Sequence, residues 1–209
     1  MSITFYYNPQ SSAARVHLTL EELGVPYEKV LVDLAKKEQK KPEFLALNPN
    51  GKVPTIVIDG TAMFESIAIQ IHLGERFGVE RNLWPRVGSP EHMQALTWLC
   101  WAQVSFGMPL FRYVENTSEW IPAEMRHAGQ AEAALAEVRE CLRVLDERLG
   151  SRGNLVHADW TLADADVASV LAWSLHVSKL DISDYTHLRA WLDRAQARPA
   201  WRTVMAGAY

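Results

Sequence analysis

Hydrophobic and polar positions alternate differently in the two halves of the chain. Ile3–Tyr7 is β-branched and aromatic, the composition of a buried strand, and Asn8-Pro9 breaks it. Between Ser11 and Leu23, Val16, Leu20 and Leu23 recur at helical spacing, and Gly24 supplies a stop. Tyr27–Val32 returns to strand character. Pro42 suits a first helical turn, followed by a short helical piece at Glu43–Leu47. Thr55–Ile58 and Thr61–Phe64 flank Asp59-Gly60, a dipeptide that favours a tight hairpin turn. Glu65–Phe77 reads as a helix carrying Ile67, Ile71 and Leu73. The order is therefore βαβαββα. A helix joins the first two strands, which should be parallel with a right-handed crossover, while the last two form an antiparallel hairpin. The pattern predicts a small mixed sheet covered by helices.

Beyond residue 88 strand character fades. Glu91–Val114 reads as one long helix bent near Gly107 and Pro109, and Ala123–Leu149 as another, with Gly150 past its end. Thr161-Leu162-Ala163-Asp164 has the spacing of a capping box, with Asp in place of Glu, and Val167–Leu175 continues its helix. A last helix covers about His187–Arg198. All eight tryptophans fall at or after Trp84. The stretch from Gly78 to Pro90 is rich in Gly and Pro, and Trp84, set among polar neighbours, reads as exposed. The expected division is an α/β domain over 1–80, a linker over 81–88 and an all-α domain over 89–209.

With 209 residues the chain can bury a sizeable core, and its 48% hydrophobic and 22% charged content is that of a folded globular protein. A net charge of −4 argues against nucleic-acid binding by bulk charge. Cys100 and Cys141 form no CxxC pair or disulfide framework, which suits a reducing compartment. No signal-like or membrane-spanning apolar run occurs, so a cytoplasmic location is expected.

No Gly-rich phosphate loop, GxSxG elbow, HExxH or CxxC is present, and the seven histidines lack metal-ligand spacing, so no metal is expected. Asp164 and Asp166, two apart on a helix, point to different sides and read as capping and solvated groups. Three places carry candidate chemistry. At Tyr6–Arg15 a strand hands over to a helix whose free amides and dipole favour an anion such as a thiolate; Ser11 or Ser12 either caps this helix or donates to the anion. At Asn48–Thr55 a proline follows a Gly turn at the mouth of a strand. If the Val53–Pro54 bond is cis, the Val53 main chain is open to pairing with a peptide-like ligand. At Phe64–Ile67, Glu65 suits an ammonium and Ser66, opening a helix, suits a carboxylate; together they match an amino-acid head group, or serve as ordinary caps.

Taken together and in this order, Tyr7–Arg15, Asn48–Thr55, Phe64-Glu65-Ser66-Ile67-Ala68-Ile69 and Thr161–Asp166 resemble the cytosolic glutathione transferase family over essentially the whole chain. The resemblance implies a thioredoxin-like N-terminal domain, an all-α C-terminal domain, a homodimer, and glutathione as cosubstrate. It implies that Val53 pairs with the cysteinyl backbone of glutathione before a cis Pro54, that Glu65 and Ser66 hold the γ-glutamyl end, and that Lys52 lies near the ligand. Three residues stand open as the thiol-stabilising group: Ser11, by resemblance to serine-using classes; Ser12, where bacterial classes place a cysteine; and Tyr7, by analogy with tyrosine-using classes. No cysteine stands there, which argues against mixed-disulfide chemistry. A histidine that some serine classes carry before the cis proline is Gly51 here.

The reaction so implied is activation of the glutathione thiol as thiolate for attack on a hydrophobic electrophile, bound between the domains and lined from Trp101, Phe106, Met108, Phe111 and Tyr113. Helical spacing favours core packing for each of these side chains. The rival readings are a non-catalytic binding module of the same fold, and a glutathione-dependent isomerase, dehalogenase or peroxidase.

Overall fold

The structure is a computed structural model that describes residues 1–9, 11–178 and 180–205. Gln10 of the Tyr7–Arg15 motif and residues 206–209 of the expected helical domain lie outside the described residues. The chain divides into two compact units, one of Met1–Val87 with the segment from Arg198 onward, the other of Gly88–Ala197.

In the first unit β1 (Ile3–Tyr7), α1 (Ala13–Leu23), β2 (Glu28–Leu31), α2 (Pro42–Leu45), β3 (Thr55–Ile58), β4 (Thr61–Phe64) and α3 (Ser66–Leu73) follow the expected order. The sheet runs β2-β1-β3-β4, with β1 and β2 parallel and the other pairs antiparallel. Asp59 (φ 49°) and Gly60 (φ 85°) make the hairpin turn, both in the left-handed region that a primed turn needs. Pleat alternation turns Ile3 and Phe5 inward, where they are 4% and 0% exposed, and Val16, Leu20 and Leu23 of α1 and Ile69 and Leu73 of α3 are buried with them.

Two features differ from the sequence expectation. Helix α3 ends at Leu73, and a wide turn over Gly74–Gly78 replaces its last residues. Trp84 is the reason: far from exposed, it is 2% accessible, and a Cβ at Gly74 would stand 2.5 Å from its indole. The C-terminal helix α9 (Pro199–Met205) also belongs to the first unit and packs on α1, so the all-α unit does not run to residue 209. Its hold is a two-pronged ion pair, Arg198 Nε and Nη2 to the Glu22 carboxylate at 2.5 and 2.6 Å, with Trp201 and Val204 buried beside it.

His17 on α1 is an unforeseen part of this core. It is 7% exposed, and its ring faces Phe5, Tyr7 and Tyr27 at 5.7, 5.9 and 6.1 Å between centroids. Burial and, next, the nearby Lys29 ammonium lower its pKa from 6.5 to about 4, against the pull of Glu21. Between these values the unfolded chain binds more protons than the fold. This contribution is therefore full above pH 6.5 and is lost as pH falls toward 4. With Glu21 Oε1 only 3.8 Å from Nε2 to pair with any imidazolium that forms, the loss by pH 5 is about 1–2 kcal/mol. Urea unfolding at pH 7.5 and pH 5 should show that His17→Gln loses less stability over this interval than wild type; equal losses would exclude His17 as the cause.

The second unit contains α4 (Pro90–Trp101), α5 (Gly107–Thr117), α6 (Ala128–Arg152), α7 (Leu162–Val177) and α8 (Thr186–Gln196). The single bent helix expected over Glu91–Val114 is two helices joined by a wide turn at Ala102–Phe106. Helix α6 starts at Ala128, after a separate short turn at Ala123–Met125, and buries Ala134, Val138, Leu142, Leu145 and Leu149 along one stripe. It passes straight through Gly150 and is capped at Gly153. Gly150 serves close approach instead of termination: a Cβ there would lie 2.8 Å from the His187 ring of α8. Thr161 and Asp164 form the expected capping box of α7. The expectation that Asp164 and Asp166 are solvated is overturned, since both are 0% exposed.

Candidate functional site

The register of the sheet brings three of its connections to one end. Tyr6 lies opposite Thr55, and Thr55 opposite Phe64, so the end of β1, the start of β3 and the end of β4 coincide. The β1–α1 connection, the Lys52-Val53-Pro54 turn and the Glu65-Ser66 junction therefore meet there, with the N-termini of α1 and α3 among them. The positive ends of two helix dipoles converge on this edge, which suits an anionic ligand.

Ser12 occupies the N-cap position of α1 but makes no capping hydrogen bond (φ −59°, ψ −6°). Its side chain is exposed, and its hydroxyl donates to the Val53 carbonyl at 3.4 Å. Ser11 is spent locally: its hydroxyl donates to the Asn8 carbonyl at 2.6 Å and accepts from the Ala13 amide at 3.2 Å. Asn8 Nδ2 in turn donates to the Val32 carbonyl at 3.0 Å, tying the connection to the strand edge. Tyr7 is placed elsewhere. Its ring stacks on Phe5 at 5.5 Å and lies beside His17, with the Lys29 ammonium 5.9 Å from its centroid.

The Val53–Pro54 bond is cis. Asn48, 2% exposed, shapes the turn in front of it: Nδ2 donates to the Lys52 carbonyl at 2.8 Å and to Thr55 Oγ1 at 3.1 Å, while Oδ1 accepts from the Asn50 amide at 3.0 Å. The Thr55 hydroxyl donates to the same Lys52 carbonyl at 3.1 Å. Asn48 and Thr55 are thus positioning residues that motif reading quoted without assigning a role. The available signal was an Asn opening a turn, a residue suited to bonding its own backbone two residues on. Lys52 itself is exposed, and Val53 is 8% exposed.

Glu65 holds φ at 70° and ψ at 114°, uncommon for a residue with a Cβ, just before α3 begins at Ser66. Such outliers cluster at ligand sites because surrounding structure must hold them. Here the Glu65 carbonyl accepts from the Ile69 amide at 3.1 Å, while its carboxylate stays exposed and Ser66 is half-buried.

The expected electrophile residues separate by burial within the helical unit. Phe106 is 0% exposed and stacked on Trp101 at 5.5 Å, and Tyr113 is 8% exposed, so both serve the core and offer a ligand little or no surface. Met108 is 65% exposed and Phe111 55%, the latter with its ring 5.3 Å from Trp173.

A mixed four-strand sheet with helix N-termini at one end, followed by a helical unit, defines a class that the comparisons also find. Residues 1–75 match the glutathione S-transferase N-terminal domain and residues 128–194 the glutathione S-transferase C-terminal domain. Glutathione S-transferase F10 of Arabidopsis thaliana is 32% identical over 99% of this chain and 97% of its own length. The chain belongs to the glutathione S-transferase family, a family of transferases. The disulfide-bond oxidoreductase YfcG of Escherichia coli is 31% identical over 95% of this chain and 92% of its own length. Among solved structures, a theta-class glutathione S-transferase from Xanthomonas axonopodis pv. citri, crystallised with glutathione bound, superposes with a TM-score of 0.85 at 26% identity, covering 100% of this chain and 99% of that one.

Proposed function

We propose that the chain is a glutathione transferase that binds glutathione at the sheet end and activates its thiol as thiolate for attack on a hydrophobic electrophile. The observation that carries the reading is the approach of the exposed Ser12 hydroxyl to the Val53 carbonyl beside cis Pro54, at the N-terminus of α1. The Val53 main chain pairs with the cysteinyl residue of the ligand, which brings the sulfur toward Ser12. Glu65 takes the γ-glutamyl ammonium, the Ser66 hydroxyl and amide take its carboxylate, and Lys52 stands near the ligand. Family members crystallised with glutathione support the same ligand here.

A free cysteine thiol titrates near ~8.5, so little is thiolate at neutral pH. A hydroxyl donor and a helix N-terminus each favour the anion; about two pKa units correspond to ~2.7 kcal/mol. The thiol proton passes to solvent, and the sulfur then forms a bond to the electrophilic carbon as the leaving group departs. Ser12 donates a hydrogen bond throughout and forms no covalent bond. Exposed Met108 and Phe111 are the helical unit's candidates for electrophile contact, with Phe106 and Tyr113 supporting them from the core. The family resemblance leads us to a homodimer, to be checked by sedimentation. The free thiols of Cys100 and Cys141 suit the cytoplasm.

Retention on glutathione-agarose, followed by absorbance titration of the bound thiolate, tests the reading. The thiol should titrate about two units below free glutathione, and conjugation of members of an electrophile panel should follow. A titration like that of free glutathione overturns thiol activation, and binding without turnover moves the assignment to a binding module. The similarity to an oxidoreductase supports a second reading, glutathione-dependent disulfide exchange. Reduction of a disulfide substrate in the absence of any conjugation would favour it.

A further inference from the structure

Strand β2 closes one side of the sheet, and among the described residues no strand pairs with its outer edge. The Val32 amide donates to the Tyr7 carbonyl at 2.8 Å. By the two-residue period of a strand Val30 also faces β1, while the main chains of Lys29, Leu31 and Asp33 face outward. The outward amide of Asp33 has a partner, the Glu38 carboxylate at 3.0 Å. Those of Lys29 and Leu31 have none among the described residues, and Leu31 is 57% exposed. Beside this edge, on the α2 face of the sheet, lies a hollow of about 220 Å³. Tyr6, Val30, Val32, Phe44 and Leu47 form its apolar wall, with the Tyr6 ring edge-on to Phe44 at 5.9 Å. Glu38, Lys41 and Glu43 stand at its rim. Lys41 pairs with Glu38 at 3.0 Å, whereas the exposed Glu43 has no ion-pair partner among the described residues, so the rim keeps one uncompensated carboxylate. Unpaired strand edges are templates for further pairing and are often guarded by a charged side chain. Here that guard is turned away from the hollow: Lys29 lies in register with Phe5 and reaches over the Tyr7 ring on the α1 face.

We infer that the outer edge of β2 docks an extended peptide segment of a partner protein, which adds to the sheet as a further strand. One large apolar side chain of the segment enters the hollow, and a lysine or arginine two residues away meets Glu43. Main-chain bonds to Lys29 and Leu31 hold the strand, and the hollow selects the side chain, the division of labour found in strand addition. Cavities on the order of 150 Å³ admit one benzene ring, so this hollow has room for a single leucine or phenylalanine side chain. Side chains two apart share a face of a strand, which sets the spacing between the apolar and the basic one. Strand β1 separates this edge from β3 and its Val53 turn, and the inference does not rest on the glutathione reading.

Titration of the full chain with the blocked peptide Ser-Thr-Leu-Thr-Lys-Thr-Ser, followed by backbone amide resonances, tests it. The Lys29 and Leu31 signals should move saturably, and their hydrogen exchange should slow about tenfold at saturation. Serine in place of the peptide's leucine should weaken binding about tenfold. Glutamate in place of its lysine should weaken it about fivefold. Glu43→Gln should weaken binding of the lysine peptide about threefold and leave a peptide with threonine at that place unchanged. Only one edge of an added strand can pair. N-methylation of the leucine and lysine amides, or of the intervening threonine amides, should therefore abolish binding in one case and spare it in the other. Absence of a saturable shift, equal loss from both methylation patterns, or indifference to the leucine overturns strand addition at this hollow; indifference to Glu43→Gln overturns the basic side chain. Protection of Lys29 and Leu31 that grows with protein concentration, without peptide, gives the edge to a second copy of the chain and overturns the peptide assignment.

Discussion

Replacing Asp164 by alanine should destabilise the helical unit by about 3–5 kcal/mol, the cost of removing a buried group on which several donors depend. The carboxylate is 0% exposed and accepts four hydrogen bonds. Oδ1 takes the Leu155 amide at 2.8 Å and the Trp191 indole N–H at 3.1 Å, while Oδ2 takes the Thr161 amide at 3.0 Å and the Thr161 hydroxyl at 2.7 Å. Burial pushes its pKa above the ordinary carboxylate value, while these four donors pull it down. All four are donors, so a side chain without acceptors strands every one of them, and only the Thr161 hydroxyl can turn to a new partner. Asp164→Asn separates acceptor loss from cavity formation. Its amide oxygen can keep two donors, but its NH₂ then faces the Thr161 amide, donor against donor, so the loss should be about half that of alanine. Equilibrium urea unfolding of both variants measures the difference. An alanine variant within about 1 kcal/mol of wild type would refute this account of the α7–α8 junction.

The same residue marks what the sequence could and could not disclose. Thr161 and Asp164 stand three apart, and that spacing alone announced a capping box. Leu155 and Trp191 are nine and twenty-seven residues from Asp164. Nothing local shows that the cap of one helix is also the acceptor for another, so an aspartate expected to meet water lies in the core. Gly150 gave a similar misdirection. A glycine late in a helical pattern reads as a stop, but this one is small because His187 of α8 occupies the space its Cβ would need.

In the first unit local chemistry decided more. Asp59-Gly60 set the hairpin, and the alternation of β1 set which face is buried. Motif order marked the candidate segments, and strand register, pairing Tyr6 with Thr55 and Thr55 with Phe64, brings the β1–α1 connection, Val53 and Glu65 to one end. Two things stayed out of reach there. The choice between Ser11 and Ser12 depends on hydroxyl partners, one of which, the Val53 carbonyl, is forty-one residues away. The placement of α9 depends on a Glu22–Arg198 pair that spans most of the chain.

Ser12→Ala should raise the pKa of bound glutathione by one to two units, about 1.5–3 kcal/mol, and lower kcat/KM for conjugation at neutral pH by roughly 10–100-fold. The sign follows from the protonation states. The lost hydroxyl donates to the thiolate more strongly than to the thiol, so its removal favours the protonated sulfur and moves the titration toward free glutathione. Ser11→Ala should act differently. Its hydroxyl bridges the Asn8 carbonyl and the Ala13 amide, so its removal should cost about 1 kcal/mol of stability, as for a helix cap, and leave the thiol titration close to wild type. Tyr7→Phe should also leave the thiol unmoved, because its ring is engaged with Phe5 and His17. Ser12→Thr keeps the donor and should restore most of the activity, which a purely packing role for Ser12 does not require. A thiol pKa raised by Ser11→Ala and unmoved by Ser12→Ala would transfer the role to Ser11, and a shift only in Tyr7→Phe would give it to the tyrosine.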